Sequence, residues 1–255
     1  MTIPKSVKEI GEMLFFECPS LESVSMEEGL PYIGRAMFED CPSLKNVTIP
    51  NSVKFINEGA FSRCTGLKSI TIPDSVPEIG AFAFSGCSAL ESVTVNSSRI
   101  KIGYHAFSGC SALRSITLNG ETKMEYGGVF DGCFSLESVT INHVEILSTL
   151  IFINCYSLKD VTVLSGLTLI EFGAFLYCSG LRKVTFPDSV TEIGNKAFYG
   201  CSSLKSITIP ESVKKIGDEA FAFCSSLESI TIPRVTEIGV RTFSCCFAPV
   251  SYTHL

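Results

Sequence analysis

The sequence contains no tryptophan and only three histidines among its 255 residues. Histidine is the side chain that most often acts as a general base or metal ligand near neutral pH, so few positions are available for either role. The absence of tryptophan removes one of the residues that most often anchor protein interfaces. No apolar run approaches the roughly 20 residues that a membrane-spanning helix needs. The sequence therefore predicts no membrane insertion for these residues.

An excess of positive charge is also missing, since 20 lysines and arginines stand against 26 aspartates and glutamates, and the formal net charge is −6. Binding to nucleic acid or to an anionic membrane requires a basic surface. The sequence likewise lacks a glycine-rich phosphate loop, a nucleophile elbow and a His-Glu-x-x-His motif. We therefore predict no nucleic-acid partner, no cofactor, no metal and no catalytic residues, and we expect a chain that is not an enzyme.

What the sequence does contain is one motif that recurs along its whole length. Eleven cysteines follow one another at steps of 23 residues, or in two cases 22, and only Cys245 lies outside this register. They are Cys18, Cys41, Cys64, Cys87, Cys110, Cys133, Cys155, Cys178, Cys201, Cys224 and Cys246. A phenylalanine stands three residues before each of them, from Phe15 to Phe243, and a leucine stands three residues after the first ten. Such self-similarity is typical of a solenoid, in which neighbouring repeats share one core.

One repeat, residues 201–223, shows how each unit is expected to fold. Its segment Ser206–Ile209 alternates polar and apolar residues, which is typical of a strand with one buried face. Pro210 cannot continue the strand ladder, and Gly217 permits a tight bend. Residues 218–223 suit one helical turn. The sequence therefore predicts stacked units of strand, bend and short helical turn, with the strands parallel.

The consensus of the repeats, Leu-x-x-Ile-x-Ile-Pro-x-x-Val-x-x-Ile-Gly-x-x-Ala-Phe-x-x-Cys, resembles the BspA-like, or treponemal, type of leucine-rich repeat. The resemblance extends from residue 1 to about residue 247. It implies an α/β leucine-rich repeat solenoid, a right-handed superhelix of about 11 repeats of 23 residues. A parallel β-sheet would form the concave face, with short helical turns and short extended segments on the convex side. Members of this family are commonly parts of bacterial surface or secreted proteins and resemble adhesins.

We expect one leucine-rich repeat domain over residues 1–247, truncated at both ends, and a non-repeat tail over residues 248–255. The chain begins inside a strand-like segment, and its first residues lack the apolar core of a signal peptide. A solenoid normally carries polar caps on its terminal repeats. We interpret Val250–Leu255 as the translation of a sequencing-adaptor end, so His254 is left out of any candidate site.

The recurring cysteines could be a metal array, a disulfide framework or packing residues. Metal sites usually pair cysteines two to four residues apart, a spacing that is missing here outside the adjacent pair Cys245 and Cys246. Parallel side chains on neighbouring repeats have poor torsion angles for a disulfide. We therefore predict buried free thiols that pack a tight turn. The phenylalanines could stack on sugars or bases, but their neighbours, such as Ala60 and Ala83, favour a buried spine.

The outward face of the predicted sheet supplies the candidate binding residues. A threonine lies between the two buried strand residues in nine successive repeats: Thr48, Thr71, Thr94, Thr117, Thr140, Thr162, Thr185, Thr208 and Thr231. Mostly serine stands two residues earlier, and a column of mixed charge precedes the serines. One interpretation is a soluble sheet face in which stacked hydroxyls bond across repeats. The other is a hydroxyl-rich concave surface that binds a partner through many weak contacts.

The repeats between residues 119 and 154 depart from the consensus. Glu125 occupies the usual isoleucine position and Tyr126 the glycine position. The next repeat is one residue shorter and carries His143. Such an irregularity can mark a binding site, although drift between repeats is the simpler interpretation. His105 lies in the turn segment at a variable position, where we expect it to be exposed.

These observations favour a non-catalytic protein-interaction or adhesion module of a bacterial surface or secreted protein. Its partner would be a protein or a glycan, such as host extracellular matrix or a neighbouring cell surface, and we expect the chain to be monomeric. Two alternatives stay open on the sequence alone. One is a structural spacer that displays another domain, and the other is an intracellular scaffold, which the many free thiols permit.

Overall fold

The computed structural model describes residues 1–124, 127–232, 234–246 and 251–254. Within them the chain coils into a stack of rungs, where one rung is one turn of about 23 residues, and about ten turns are formed. Paired strands are parallel and lie in register one rung apart, as in Ser69 with Ser92 and Thr117 with Thr140. The predicted parallel solenoid is confirmed.

Twenty-one strands lie in the described residues. In chain order they are β1 (Thr2–Ile3), β2 (Ser23–Met26), β3 (Tyr32–Ile33), β4 (Asn46–Thr48), β5 (Phe55–Ile56), β6 (Ser69–Ile72), β7 (Glu78–Ile79), β8 (Ser92–Val95), β9 (Arg99–Ile102), β10 (Ser115–Met124), β11 (Ser138–Val144), β12 (Ile146–Leu147), β13 (Asp160–Ser165), β14 (Leu169–Ile170), β15 (Lys183–Thr185), β16 (Glu192–Ile193), β17 (Ser206–Thr208), β18 (Lys215–Ile216), β19 (Ser229–Ile232), β20 (Glu237–Ile238) and β21 (Ser251–His254).

The strands form two columns along the stack. The first column holds β1, β2, β4, β6, β8, β11, β13, β15, β17, β19, β21 and the start of β10, and the second holds β3, β5, β7, β9, β12, β14, β16, β18, β20 and the end of β10. A proline such as Pro50 or Pro73 ends the first-column strand in regular rungs, because it cannot donate to the ladder. Asn119 stands in place of that proline in the irregular region, where β10 runs on through both columns.

The segment that precedes each cysteine is a series of turns, and the described residues contain no helix. The prediction of short helical turns, and with it the α/β class, is wrong. The N–H groups of Gly59, Phe61 and Arg63 donate to carbonyl oxygens of the next rung at 2.7–2.9 Å. Those of Ala60 and Ser62 donate within the segment, to the carbonyl three residues earlier. Because every second N–H leaves the segment, the continuous i to i−4 bonding of a helix cannot form.

Left-handed backbone conformations bracket each of these turn segments. Arg63 has φ 57° and the preceding Gly59 has φ 63°, four residues apart. Fifteen described residues other than glycine have a positive φ, which costs an L-residue about 1–2 kcal/mol. Glycine stands at the position equivalent to Arg63 in the next rung, where Gly86 has φ 72°. The bonds to the neighbouring rung stabilise a conformation that these side chains would otherwise avoid.

The core is one continuous cluster that extends from Ile3 to Ile232. Its centre is the phenylalanine column, in which ten consecutive pairs from Phe15 to Phe243 stack with ring centroids 5.0–5.7 Å apart and interplanar angles of 0–16°. Stacked pairs at these distances add to the stability gained from burying the rings. The predicted buried spine is confirmed.

Backbone pairing in the first column is interrupted at two places, between β4 and β6 and between β15 and β17. In other rungs the residue just before the strand donates its N–H to the rung before, as Glu228 does to the Lys205 carbonyl at 2.8 Å. The equivalent bonds from Lys68 and Lys205 are absent within the described residues. The second column stays paired beside both breaks, through β5 with β7 and β16 with β18.

Parts of the regions singled out from the sequence lie outside the described residues, namely Glu125, Tyr126, 247–250 and Leu255. Strand β21 pairs in parallel with β19 and places Ser251 opposite Ser229. The domain boundary at residue 247 and the adaptor origin of the tail stay predictions, as do the right-handed coil and the concave position of the first column.

We predict that Phe130→Ala destabilises the chain by about 3–5 kcal/mol, because it removes a fully buried ring and leaves a cavity in the spine. Chemical denaturation followed by circular dichroism measures the change. Phe134→Ala is the matched control, since Phe134 lies in the same rung and is 49% exposed, and we expect it to cost less than about 1 kcal/mol. If both variants lost the same free energy of unfolding, the buried phenylalanine spine would not contribute more to stability than an exposed ring.

Candidate functional site

The candidate binding threonines form a single row along the first column. Alternation along each strand turns the isoleucines inward and the threonines outward, as in β6, where Ile70 and Ile72 are buried while Ser69 and Thr71 are exposed. We call the outward surface of the first column the threonine face. Its exposed threonines are Thr48, Thr71, Thr94, Thr117, Thr185 and Thr208, and its half-buried threonines are Thr140, Thr162 and Thr231.

The hydroxyls on this face are largely unused within the protein. Within the described part of the chain, the Oγ1 atoms of eight of the nine threonines make no hydrogen bond, Thr231 being the exception. The interpretation in which stacked hydroxyls bond across rungs therefore does not describe these eight. Each hydroxyl can donate one hydrogen bond and accept two, so the row offers repeated polar groups to a partner.

The charged column beside the threonines contains ion pairs between rungs. Lys159 Nζ lies 2.6 Å from Glu137 Oε2, and this contact lowers the pKa of the Glu137 carboxyl. Lys45 Nζ lies 3.6 Å from Glu22 Oε2. Exposed pairs of this kind contribute little to stability, and their main effect is to limit repulsion within the column. Arg182 and Lys205, further along, have no carboxylate partner among the described residues.

Each break in the first column opens a groove in the threonine face. The groove between β4 and β6 has a volume of about 510 Å³, and its polar lining includes Thr48, Asn51, Ser69, Thr71, Asp74 and Asn96. The groove between β15 and β17 has a volume of about 460 Å³, and its lining includes Arg182, Lys183, Thr185, Phe186, Asp188, Ser206 and Thr208.

The breaks also expose apolar side chains that other rungs bury. Val47 and Ile49 are half-buried at the first break, and Val184 and Phe186 are half-buried at the second. Sequence analysis missed both grooves, because the strand residues have the same pattern as in unbroken rungs. Phe186 could have indicated the second groove, since it replaces the aliphatic residue that occupies the equivalent position in other rungs.

The cysteine column is buried packing, as predicted. All twelve cysteines are free, and the nine from Cys41 to Cys224 are buried. Each of these nine donates its Sγ–H to a phenylalanine carbonyl of the preceding rung at 3.0–3.3 Å, as Cys87 does to Phe61. Burial raises the pKa of the Cys87 thiol to about 12. A thiol with such a pKa is uncharged at neutral pH and is a poor nucleophile or metal ligand.

The two histidines in the body of the chain occupy different surroundings. His105 is half-buried, not exposed as predicted. Its ring stacks on Phe82 with centroids 5.7 Å apart and lies nearly perpendicular to the Tyr104 ring with centroids 4.0 Å apart. His143 lies near the end of β11, with Nδ1 3.0 Å from Ser165 Oγ. No group of three or more potential metal ligands occurs among the described residues.

The irregular rungs border a third cavity, of about 480 Å³, on the second column. Glu171 lines it and accepts hydrogen bonds from the backbone N–H and the hydroxyl of Thr149 at 2.8 and 3.0 Å. Ser148 also lines it, and its hydroxyl is buried without a partner among the described residues.

Comparison with protein families identifies the repeat. The model of the BspA type leucine-rich repeat region, which contains six copies, matches residues 1–76, 32–159 and 145–253. The chain belongs to the BspA-type leucine-rich repeat family. No curated protein matches it.

Several solved structures resemble this BspA-type chain. A leucine-rich cell surface protein from Faecalibacterium prausnitzii is 32% identical, with a TM-score of 0.55, and the match covers 99% of this chain and 78% of that one. A leucine-rich repeat protein from Eubacterium ventriosum is 18% identical, with a TM-score of 0.57 and coverage of 99% and 82%. The pneumococcal vaccine antigen PcpA is 21% identical, with a TM-score of 0.51 and coverage of 92% and 68%. The last two support the fold alone.

The described residues of this chain contain no helix that is long and apolar enough to cross a bilayer. The rungs present equivalent side chains to solvent along the threonine face. Solenoids often use extended surfaces of this kind to bind partners.

We predict that Cys245, which is exposed in the structure, is the fastest-reacting thiol of the folded BspA-type chain, and that the half-buried Cys18 and Cys246 react more slowly. Ellman's reagent at pH 8 should modify Cys245 within minutes, while the buried cysteines react only after unfolding. The Cys245→Ser variant should lose the fast phase. In guanidinium, all twelve thiols of the original chain should react. Reaction of more than two thiols in the folded Cys245→Ser variant would contradict the buried column, because only Cys18 and Cys246 are half-buried.

We also predict that stability falls as the pH rises above about 9. The folded chain keeps the Cys87 proton until about pH 12, whereas the same thiol in the unfolded chain ionises near its ordinary value of 9.0. Between these values the unfolded state binds fewer protons, so alkaline pH favours unfolding. Urea midpoints between pH 7 and 10.5 measure the loss. The Cys87→Ala variant should start less stable and show a shallower fall, and an identical slope would contradict the assignment.

Proposed function

We propose that this chain is a non-catalytic protein-interaction or adhesion module of a bacterial surface or secreted protein, and that it binds its partner through the threonine face. The observation that carries the proposal is the row of outward hydroxyls from Thr48 to Thr208, eight groups that make no hydrogen bond within the described part of the chain. A face that served stability alone would gain from bonding these groups to each other, because each internal hydrogen bond contributes about 0.5–1.5 kcal/mol.

The repeated geometry supports binding to an extended partner. Outward-facing threonines recur once per rung, at the spacing of parallel strands, which is about 4.8 Å. A protein or glycan that lies along the stack can contact several of them at once, and the weak contacts then add through effective concentration. The solved structure of the 32% identical relative is described as that of a cell surface protein, which supports a location outside the cell.

Buried residues already supply the packing that stabilises the strands of the threonine face. The isoleucine and valine positions of the same strands supply the packing, and the phenylalanine spine joins the rungs. Substitution of an exposed threonine therefore changes the surface without removing a core contact. This separation between surface and core makes the proposal testable by mutation.

We predict that the double variant Thr94→Lys/Thr117→Lys loses at least about tenfold in affinity for any ligand bound along the threonine face, because two long charged side chains would obstruct the row. Both threonines are exposed and lie on paired strands, β8 and β10. Surface plasmon resonance of the recombinant chain against extracellular-matrix proteins and glycans identifies the ligand and measures the loss.

Thr65→Lys is the matched control, since Thr65 is equally exposed but lies in the turn just after Cys64. Unchanged melting temperatures in both variants would separate binding from folding. If the double variant bound every ligand as tightly as the original chain, the threonine face would not be the binding surface. If the original chain bound nothing in the screen, a structural spacer would be the better interpretation.

A further inference from the structure

The groove between β15 and β17 differs from the rest of the threonine face in charge, in apolar surface and in backbone pairing. We propose that it binds a glycan that carries carboxylate or sulfate groups. The proposal rests on the proposed function of this face, and it assigns to one part of that face the chemistry of its ligand.

Cationic side chains gather at this groove in an otherwise acidic chain. Arg182 and Lys183 line it, and Lys205 immediately precedes Ser206 of its opposite strand. These three have no ion pair within the described part of the chain, unlike Lys159 one rung earlier. Two guanidinium or ammonium groups that lack a partner can bind an anionic group with little competition from the protein.

Acidic groups are also close, and they limit the charge of the groove. Asp188 is part of the lining, and Asp160 is the strand partner of Lys183 one rung earlier. Neither carboxylate forms an ion pair with a described cation. The groove therefore has a modest cationic excess, which suits a ligand with spaced single charges better than a densely charged polymer such as nucleic acid.

Polar groups for a sugar are supplied by the edges of the break. Thr185 on one strand and Ser206 and Thr208 on the other line the groove with hydroxyls. The break also leaves the N–H of Lys205 without the bond to the preceding rung that Arg182 makes to the Lys159 carbonyl at 2.9 Å. Hydroxyls that both donate and accept match the hydroxyls of a sugar, which do the same.

Phe186 supplies an apolar surface in the same groove. Its ring is half-buried, and Phe198 holds it in an edge-to-face contact with centroids 6.0 Å apart. Aromatic faces are electron-rich, so they attract the partly positive C–H groups on one face of a pyranose ring. A ring, a row of hydroxyls and a cationic rim together favour an acidic sugar over an acidic peptide. The flanking strands β15 and β17 have only three residues each, which offers a peptide little edge for strand pairing.

The groove between β4 and β6 is an internal reference for this proposal. It arises from the same kind of break and has a similar volume, but its lining contains Asp74 and no cation. Lys45 and Lys68 precede β4 and β6 but do not line that groove, and Lys45 is paired with Glu22. Of the two grooves, the one at β15 and β17 is therefore the one with cations in its lining.

The test measures binding of the full chain to four probes by isothermal titration calorimetry at low and moderate salt. The probes are a galacturonate oligosaccharide, a sulfated dextran oligosaccharide, a neutral dextran oligosaccharide of the same length, and a poly-glutamate peptide. We expect at least one anionic glycan to bind about tenfold or more tightly than the neutral glycan, and we expect its affinity to fall as salt rises. The two anionic glycans distinguish carboxylate from sulfate.

Three variants locate the site. Arg182→Ser/Lys183→Ser should weaken anionic binding about tenfold or more. Lys45→Ser/Lys68→Ser removes the same charge beside the other groove and should leave binding within about twofold. Phe186→Leu should weaken binding of the oligosaccharide several-fold without changing its salt dependence, because the ring contact is uncharged.

Several results would overturn the proposal. Poly-glutamate binding as tightly as the anionic glycans would assign the groove to an acidic peptide. Equal losses in the two double-cation variants would indicate attraction to net charge alone. Absence of anionic glycan binding would remove the inference, while the proposed function would survive if another ligand still depended on Thr94 and Thr117.

Discussion

The repeat length constrains everything else in this structure. Because each rung takes 22 or 23 residues and pairs in register with the next, every side chain lies over its equivalent in the neighbouring rung. The phenylalanine rings show the consequence most directly, since they stack at 5.0–5.7 Å along the whole core. A single rung has too few apolar residues to bury its own ring, and its core is completed only by its neighbours.

The same register explains why cysteine stands beside the phenylalanine spine. From Phe61 to Phe221, each phenylalanine carbonyl of the spine accepts the backbone N–H of the cysteine three residues later, and it also accepts the thiol of the following rung, as Phe61 does from Cys87. A thiol is small enough for this interior position and donates weakly to the remaining lone pair of the carbonyl. The column therefore satisfies buried polar groups. In this chain the cysteine spacing reflects backbone hydrogen bonding as well as packing.

Much of the fold followed from the sequence, because period and alternation are properties of side chains. The parallel register, the buried spine and the outward threonines all depend on which residues recur at which positions. The helical turn was wrong because the sequence of one repeat contains no information about the next rung, whose carbonyls take every second N–H of the turn segment. The grooves were missed for a related reason. Lys183–Thr185 reads like any other strand of the first column, and only the half-exposed Phe186 in an aliphatic position distinguished it.

The two breaks have a mechanical consequence. At each of them the first column is unpaired while the second column and the turn segments remain bonded from rung to rung. Because those bonds persist, a small rotation about them would widen or narrow the groove without separating the rungs. The solenoid would then behave as three stiff blocks joined at two flexible joints. A ligand held at one joint would fix the angle between two blocks and so set the curvature of the whole surface.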